Sequence, residues 1–422
     1  MEERLAARGG RLDIMRGEAD TMMLAVARAA NAGRVLWTRR YEAAAIALDA
    51  GVKTALREQG AEGMSFNGRL MREPWEVAKP DGAPSGNFSA FWRRHRALPP
   101  LPAPSRAPDR LRQAPWPEGA PQRVPVEALK LTPTRPDWSS ELGLGETLGE
   151  TGALRALARF VDAGLASYAE RRDLTSREGT SRLSAHLRCG EISARRIAIA
   201  VEAAAAARPD LLGDAEKYLA ELGWRDFAAA LLYAQPDLAT RPLRAEFECF
   251  PWRDDEEGLR AWARGETGYP IVDAGMRQLW RTGFMPNRVR MIAPSFLVKH
   301  LLIDWRRGER WFWDTLIDAD PANNPMGWQW VAGSGADAAP FFRIFNPVLQ
   351  AQKFDADGAY TRRWVPELAQ LGAPDIHAPW RAPAEALARA GVVLGRTYPR
   401  PIVDHAQARA RALKAFEQMR GR

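Results

Sequence analysis

Between residues 99 and 136 the chain carries 11 of its 31 prolines, beginning Pro99-Pro100-Leu101-Pro102. Proline lacks a backbone N–H and fixes φ, so a stretch this dense can be neither a regular helix nor an interior strand. It reads as a semi-rigid extended connector, and it divides the 422-residue chain into two parts of different pattern. Before it, Arg11–Met15 reads as a strand and 19–32 as an Ala-rich helix. Arg34–Trp37 reads as a second strand, 41–60 as a helix up to Gly60, and Gly63–Phe66 as a third strand. A βαβα order implies a parallel α/β layer, here shorter than the usual sheet of about five or six strands. From about 151 the apolar residues recur at three- and four-residue spacing, with helices expected over 153–171, 193–207, 214–233, 271–282, 287–302 and 402–419. The expected fold class is α/β plus all-α. It comprises a partial parallel α/β domain over 1–96, a Pro-rich connector over 97–150 and a large helical domain over 151–422.

Several function classes drop out. No run of about 18 apolar residues is present, so no membrane partner is expected. The charged start Met1-Glu2-Glu3-Arg4 lacks the apolar core of a secretion signal. Two cysteines, Cys189 and Cys249, make no disulfide framework and fit a cytoplasmic protein. The five histidines lie far apart and no CxxC occurs, so no metal site is expected. The net charge of +8 is compatible with a polyanionic partner without requiring one.

Tryptophan is the compositional oddity: 11 of the 16 lie at or after Trp224. Around them sit segments with chemical content. Glu178-Gly179-Thr180-Ser181-Arg182-Leu183-Ser184 offers three hydroxyls and a turn glycine at a helix start, either a phosphate cradle or a plain N-cap. On a helix, Tyr218, Glu221, Trp224 and Arg225 share a face, either a surface ion pair beside a core edge or the wall of a pocket for a flat ligand. Asn287, Arg290 and Met291 repeat the theme. Asp318-Ala319-Asp320-Pro321 leads through Asn323 and Asn324 into Trp328-Gln329-Trp330, with Asp320 placed to cap a helix whose first residue is Pro321. Gly143–Gly149 resembles a dinucleotide fingerprint but has one residue too many, and reads as a loop.

Taken together, Gly179–Ser184, Trp224–Phe227, Thr267–Arg277, Asn287–Met291, Ser295–Trp305, Gly327–Trp330 and Asp337–Pro347 resemble the cryptochrome/photolyase family, in particular a class I cyclobutane pyrimidine dimer photolyase. The resemblance implies FAD as cofactor, held by Tyr168, Thr180, Ser181, Arg182, Leu183, Ser184, Tyr218, Glu221, Arg225, Asn287, Arg290, Asp318 and Asp320. Arg290 would pair with Asp318, and Asn324 would face flavin N5 with an amide that cannot readily take its proton. Trp252, Trp305 and Trp328 match the electron-relay indoles. Trp224 and Trp330 match the walls around a flipped-out dimer, Glu221 and Asn287 its hydrogen-bonding partners and Met291 a packing neighbour. Arg172, Arg288 and Arg343 match phosphate contacts. The remaining late indoles, Trp262, Trp280, Trp311, Trp313, Trp364 and Trp380, read as packing.

The implied function is light-driven repair of UV-damaged DNA by a monomer, with a flavin photoreceptor lacking repair activity as the alternative. Three departures from the family pattern stand out. The usual opening strand is missing, which suggests a start codon placed too far downstream. Ala44-Ala45 and Ala239-Thr240 replace the residues that bind a folate antenna, leaving a deazaflavin or no second chromophore. Pro286 replaces a histidine on which (6-4) lesion repair depends, and Pro294 predicts a kink in the 287–302 helix.

Overall fold

The computed structural model describes residues 1–142 and 148–421. The loop expected at Gly143–Gly149 lies, through residue 147, outside the described residues. The first part holds helix α1 (Ala19–Ala29), strand β1 (Arg34–Thr38), helix α2 (Ala43–Glu58) and strand β2 (Glu62–Phe66). The strands pair in parallel, Arg34 opposite Glu62 and Thr38 opposite Phe66. Their period-two alternation turns Val35 and Trp37 onto Ala27, Val52 and Leu56 of the two helices, while Leu36 faces outward.

Arg11–Met15 is not a strand. An extended segment becomes a strand only when a neighbour completes its hydrogen-bond ladder. Here the Ile14 carbonyl accepts from Val124 N and Arg11 N donates to the Gln113 side chain, so the connector takes the role of partner. The third expected strand is therefore the second of a two-stranded sheet. Among its described residues the connector forms short 3₁₀ turns at Val126–Leu129 and Ser139–Leu142 before the helix that starts at Gly149.

Helix α3 (Phe88–Ala97) precedes the prolines yet packs on the helical part: Phe88 and Phe91 share a cluster with Phe227 of α4 (Leu212–Ala234). Buried Asp226 fixes this junction. It accepts from Met71 N at 3.2 Å and Arg72 N at 2.9 Å, and shares a hydrogen bond with His95 of α3 at 3.3 Å.

The largest core lies among α5 (Pro270–Thr282), α6 (Asn287–Ser295), α7 (Trp305–Thr315) and α8 (Asn323–Ala332), with α9 (His405–Arg420) packed beside the turn that follows α6. Two long helices expected from periodicity are interrupted. The 153–171 segment breaks into Gly149–Arg159, a widened turn at Phe160–Gly164 and a short helix at Tyr168–Arg171. The 287–302 segment ends its regular part at Ser295 and widens over Phe296–His300. Pro294 cannot donate to the carbonyl one turn back, which loosens the ladder where the wide turn begins. The indole of Trp262 donates to the Ala293 carbonyl at this point, at 2.9 Å.

Candidate functional site

Residues 179–184 form a tight loop. A Cβ on Gly179 would lie 2.6 Å from the Arg171 carbonyl oxygen, so only glycine fits there. Arg182 adopts a left-handed φ of 57°, and its guanidinium lies 3.9 Å from the Phe284 ring centroid. From α4, Tyr218 donates to Ser181 Oγ at 3.0 Å, and its ring meets Tyr168 edge-on at 5.1 Å. Burial pushes the Tyr218 phenol up to about 12 and raises Tyr168 as well, so both stay neutral donors. Leu183 is fully buried beneath them, Thr180 is half-buried and Ser184 is exposed.

One helical turn after Glu221, Arg225 donates to the carbonyls of Arg69 and, at 3.4 Å, Leu187. Burial lowers its guanidinium, with Asp320 opposing. Arg69 in turn reaches Asp320 at 3.4 Å. Asp320 is not the N-cap of a helix starting at Pro321: α8 starts at Asn323. Its Oδ1 accepts from Ala322 N at 3.0 Å and Asn323 N at 2.9 Å, a side-chain turn just ahead of that helix. Burial pushes the Asp320 carboxyl up, but Arg225, the Asn323 donors and Arg69 outweigh it and hold it below its ordinary value. Asp318 takes a two-pronged hydrogen bond from Arg290, at 3.1 and 3.0 Å, and Arg290 lies 5.7 Å from the Phe284 centroid.

Contacts join Ser181 to Tyr218, Arg225 to Arg69, Arg69 to Asp320, Asp318 to Arg290, and both Arg290 and Arg182 to Phe284; the backbone joins Tyr218 to Arg225 along α4 and Asp318 to Asp320. Residues from five separate segments close one circuit. Its hydroxyls and guanidiniums suit phosphates, and its carboxylates suit ring N–H and ribose hydroxyl groups. This donor and acceptor set fits a nucleotide with a flat hydrogen-bonding ring. Asn324 completes it: its amide nitrogen donates to the backbone and side-chain oxygens of Glu309, at 3.0 and 2.9 Å. That contact fixes which way the amide faces. Burial pushes the Glu309 carboxyl up, with the Asn324 hydrogen bond opposing.

Trp305 and Trp328 are buried in the main core, and Trp252 packs against it while partly exposed. Trp328 lies on Gly308, three residues along α7 from Trp305, where a Cβ would sit 2.1 Å from the indole. The ring N–H groups of Trp252 and Trp328 are buried without a protein partner, whereas that of Trp262 is bonded. An unpaired buried donor costs about 1–3 kcal/mol.

The expected lesion-side residues divide. Trp224 stacks on Phe88 with centroids 3.9 Å apart and planes 8° from parallel. Glu221 pairs with Arg172 at 2.6 Å and Lys217 at 3.2 Å. The stripe of Tyr218, Glu221, Trp224 and Arg225 therefore shares one helix but serves different neighbours. Arg288 is ion-paired with Asp173 and lies 4.1 Å over the Phe354 ring. Asn287 is exposed as the first residue of α6, while Met291 and Trp330 are half-buried. Arg343 is exposed on the segment after α8. No grouping of His, Cys, Asp and Glu able to hold a metal occurs among the described residues.

Sequence reasoning missed Arg69, Glu309 and the role of Phe284 in this circuit. Arg69 lies in a segment with no local signature, and only the docking of the α/β part on α4 brings it to Asp320. Glu309 lies 15 residues from Asn324, a distance closed by the packing of α7 on α8.

The chain shares sequence and fold with known proteins. Residues 218–418 match the family model for the FAD binding domain of DNA photolyase, and residues 1–108 match that for DNA photolyase. A deoxyribodipyrimidine photo-lyase of Agrobacterium fabrum is 48% identical over 97% of this chain and 84% of its own. Cryptochrome-1 of Arabidopsis thaliana is 36% identical over 94% of this chain and 59% of its own. The crystal structure of a class III photolyase from Agrobacterium tumefaciens superposes with a TM-score of 0.95 at 47% identity, covering 100% of this chain and 86% of that one. The class I assignment expected from the motifs finds no support here, because this strongly similar structure belongs to class III. The motifs named above therefore identify the family and not the class.

Proposed function

Because the chain belongs to the DNA photolyase family, we propose that the circuit from Ser181 to Arg182 is the FAD site of a light-driven enzyme that splits cyclobutane pyrimidine dimers in UV-damaged DNA. That circuit carries the reading, since it closes one donor and acceptor set from five segments of a chain that bears an FAD binding domain. When bound, reduced FAD supplies the photoexcited electron that opens the dimer and receives it back. Thr180, Ser181, Arg182 and Ser184 bind the phosphates, Arg290 held by Asp318 orients the ring, and Asn324 held by Glu309 faces N5. Arg225 and Asp320 hold the remainder.

Trp252, Trp305 and Trp328 carry electrons inward from the surface. Trp224, already stacked on Phe88, and Trp330 serve as the walls for the flipped-out dimer, with Met291 packing beside it. Glu221 and Asn287 hydrogen-bond the bases. Arg172, Arg288 and Arg343 contact phosphates. A guanidinium has five N–H donors, so Arg172 and Arg288 can keep Glu221 and Asp173 while binding an oxyanion.

In place of class I, the likeness to the class III structure supports that group. We keep the division into an α/β part over 1–96, a connector over 97–150 and a catalytic part over 151–422. The enzyme acts as a cytoplasmic monomer. A second chromophore stays open between a deazaflavin and none, because Ala44-Ala45 and Ala239-Thr240 supply no polar group for a folate beyond one hydroxyl.

The test incubates UV-irradiated oligothymidylate with the protein, with and without blue light, and follows dimer loss. Light-dependent loss is expected. Flavin retention without repair would instead indicate the photoreceptor alternative.

A further inference from the structure

Lys299 is buried to 1% exposure, on the widened turn after α6. It has no carboxylate partner among the described residues. Its Nζ donates instead to the backbone carbonyl of Arg343 at 2.9 Å, and lies 5.3 Å over the ring of Phe341. A buried ammonium is expensive, and an apolar side chain of similar volume usually costs less. Packing alone gives no reason for a lysine here.

Its contact explains what the charge does. The segment after α8 is tied at one end by Ala339 N to the Trp330 carbonyl at 3.2 Å. Phe341 is buried beneath it among Phe247, Phe250 and Phe416. Phe342, 62% exposed, and exposed Arg343 form the tip. The second tie is the Lys299 ammonium.

We propose that Lys299 is a positioning residue for DNA recognition, fixing the Phe342–Arg343 tip from beneath through the Arg343 carbonyl. The inference rests on the reading that Arg343 contacts the lesion strand. A protonated amine makes a stronger hydrogen bond to that carbonyl than a neutral one, so the tip is held best when Lys299 is charged.

Burial, together with the Arg343 charge, pushes Lys299 down to about 7. Of the titratable or charged groups on packed elements, His300 on the same turn and His405 and Arg411 of α9 interact with this turn; α9 also carries Arg409, Lys414, Glu417 and Arg420, and the turn of Phe247 carries Glu246 and Glu248. His300 is pushed down to about 3 and His405 is also lowered, both chiefly by burial, so His300 is neutral near pH 7. Arg411 is lowered from the arginine range and remains a cation. DNA phosphate near the tip favours charged Lys299, so affinity should fall as pH rises through 7.

Fluorescence anisotropy with a thymine-dimer oligonucleotide tests this from pH 6 to 9 at fixed ionic strength, using flavin-loaded protein. Wild type should weaken roughly five- to tenfold across that range, the scale by which a charge-assisted hydrogen bond exceeds a neutral one. Lys299→Met should bind weakly with a flat profile, and Lys299→Arg should bind tightly with a flat one. Flavin content and thermal midpoint report folding of each variant. A flat wild-type profile overturns the inference without recourse to any variant, as does a Lys299→Met protein with wild-type affinity and slope. Arg343→Ala separates the two readings: wild-type affinity there removes Arg343 as a DNA contact, whereas weakened binding there with an unaffected Lys299→Met removes only the positioning role.

Discussion

Gly308→Ala puts two opposing physical effects in direct competition. In the interior of an exposed helix, replacing glycine by alanine stabilises by about 1 kcal/mol, because glycine loses more conformational freedom on folding. At Gly308 the new Cβ would lie 2.1 Å from Trp328 Cη2, 2.5 Å from its Cζ3 and 2.6 Å from Leu297 Cδ2. Carbon atoms pack at about 3.5–4.0 Å, so the indole must retreat by roughly 1.5 Å. It has little room to do so: Trp328 is 2% exposed and its ring meets Phe312 at 5.0 Å and Trp262 at 6.0 Å. Overpacking of this kind costs about 1–3 kcal/mol, and contact on two sides places it at the upper end. The net expectation is destabilisation by about 2 kcal/mol once the propensity gain is deducted. Chemical denaturation of the variant measures it, with Trp328→Phe as the control that removes part of the obstruction. A moved indole should also slow light-driven reduction of the bound flavin, since electron tunnelling weakens steeply with separation. A Gly308→Ala protein as stable as wild type or more so would show that helix propensity wins, and would refute the tight α7–α8 contact.

Arg290→Met leaves the Asp318 carboxylate buried without its cation and should cost about 3 kcal/mol. Adding Asp318→Leu should restore most of that stability but not flavin retention; a double variant that keeps its flavin removes the pair from the cofactor site. Asn324→Asp puts a second carboxyl where the Asn324 amide stands 2.9 Å from Glu309. The pair should then hold a shared proton near neutrality, and flavin absorbance of the variant should become pH-dependent between about 5 and 8. A pH-independent spectrum counts against that geometry. Burial, with His405 adding to it, pushes His300 down to about 3, while the unfolded imidazole titrates near ~6.5. Between those values only the unfolded chain binds the proton. The His300 contribution is therefore complete above pH 6.5 and is lost toward pH 3, by up to about 1.4 kcal/mol per unit. His300→Gln should flatten the thermal midpoint between pH 7.5 and 5.5; an unchanged acid slope assigns the loss to other groups.

Local sequence determined the elements and much of the chemistry. The proline stretch had to be a connector because its backbone cannot donate. The apolar spacing had to be helical, and Pro294 had to leave one carbonyl of its helix without a donor; a wide turn follows at Phe296–His300. The motifs pointed to the family, although not every motif residue serves the site. Asp273 of the Thr267–Arg277 motif is a buried clamp that accepts from Thr267, Gly268 and Tyr398. What lay beyond the sequence is what depends on contacts between distant segments. Arg11–Met15 has the composition of a strand, but a strand needs a neighbour, and the connector is its neighbour here. The partners of Asp320, Asn324 and Arg343 come from 251, 15 and 44 residues away. Periodicity places a side chain on a face; only tertiary packing decides which charge meets it there.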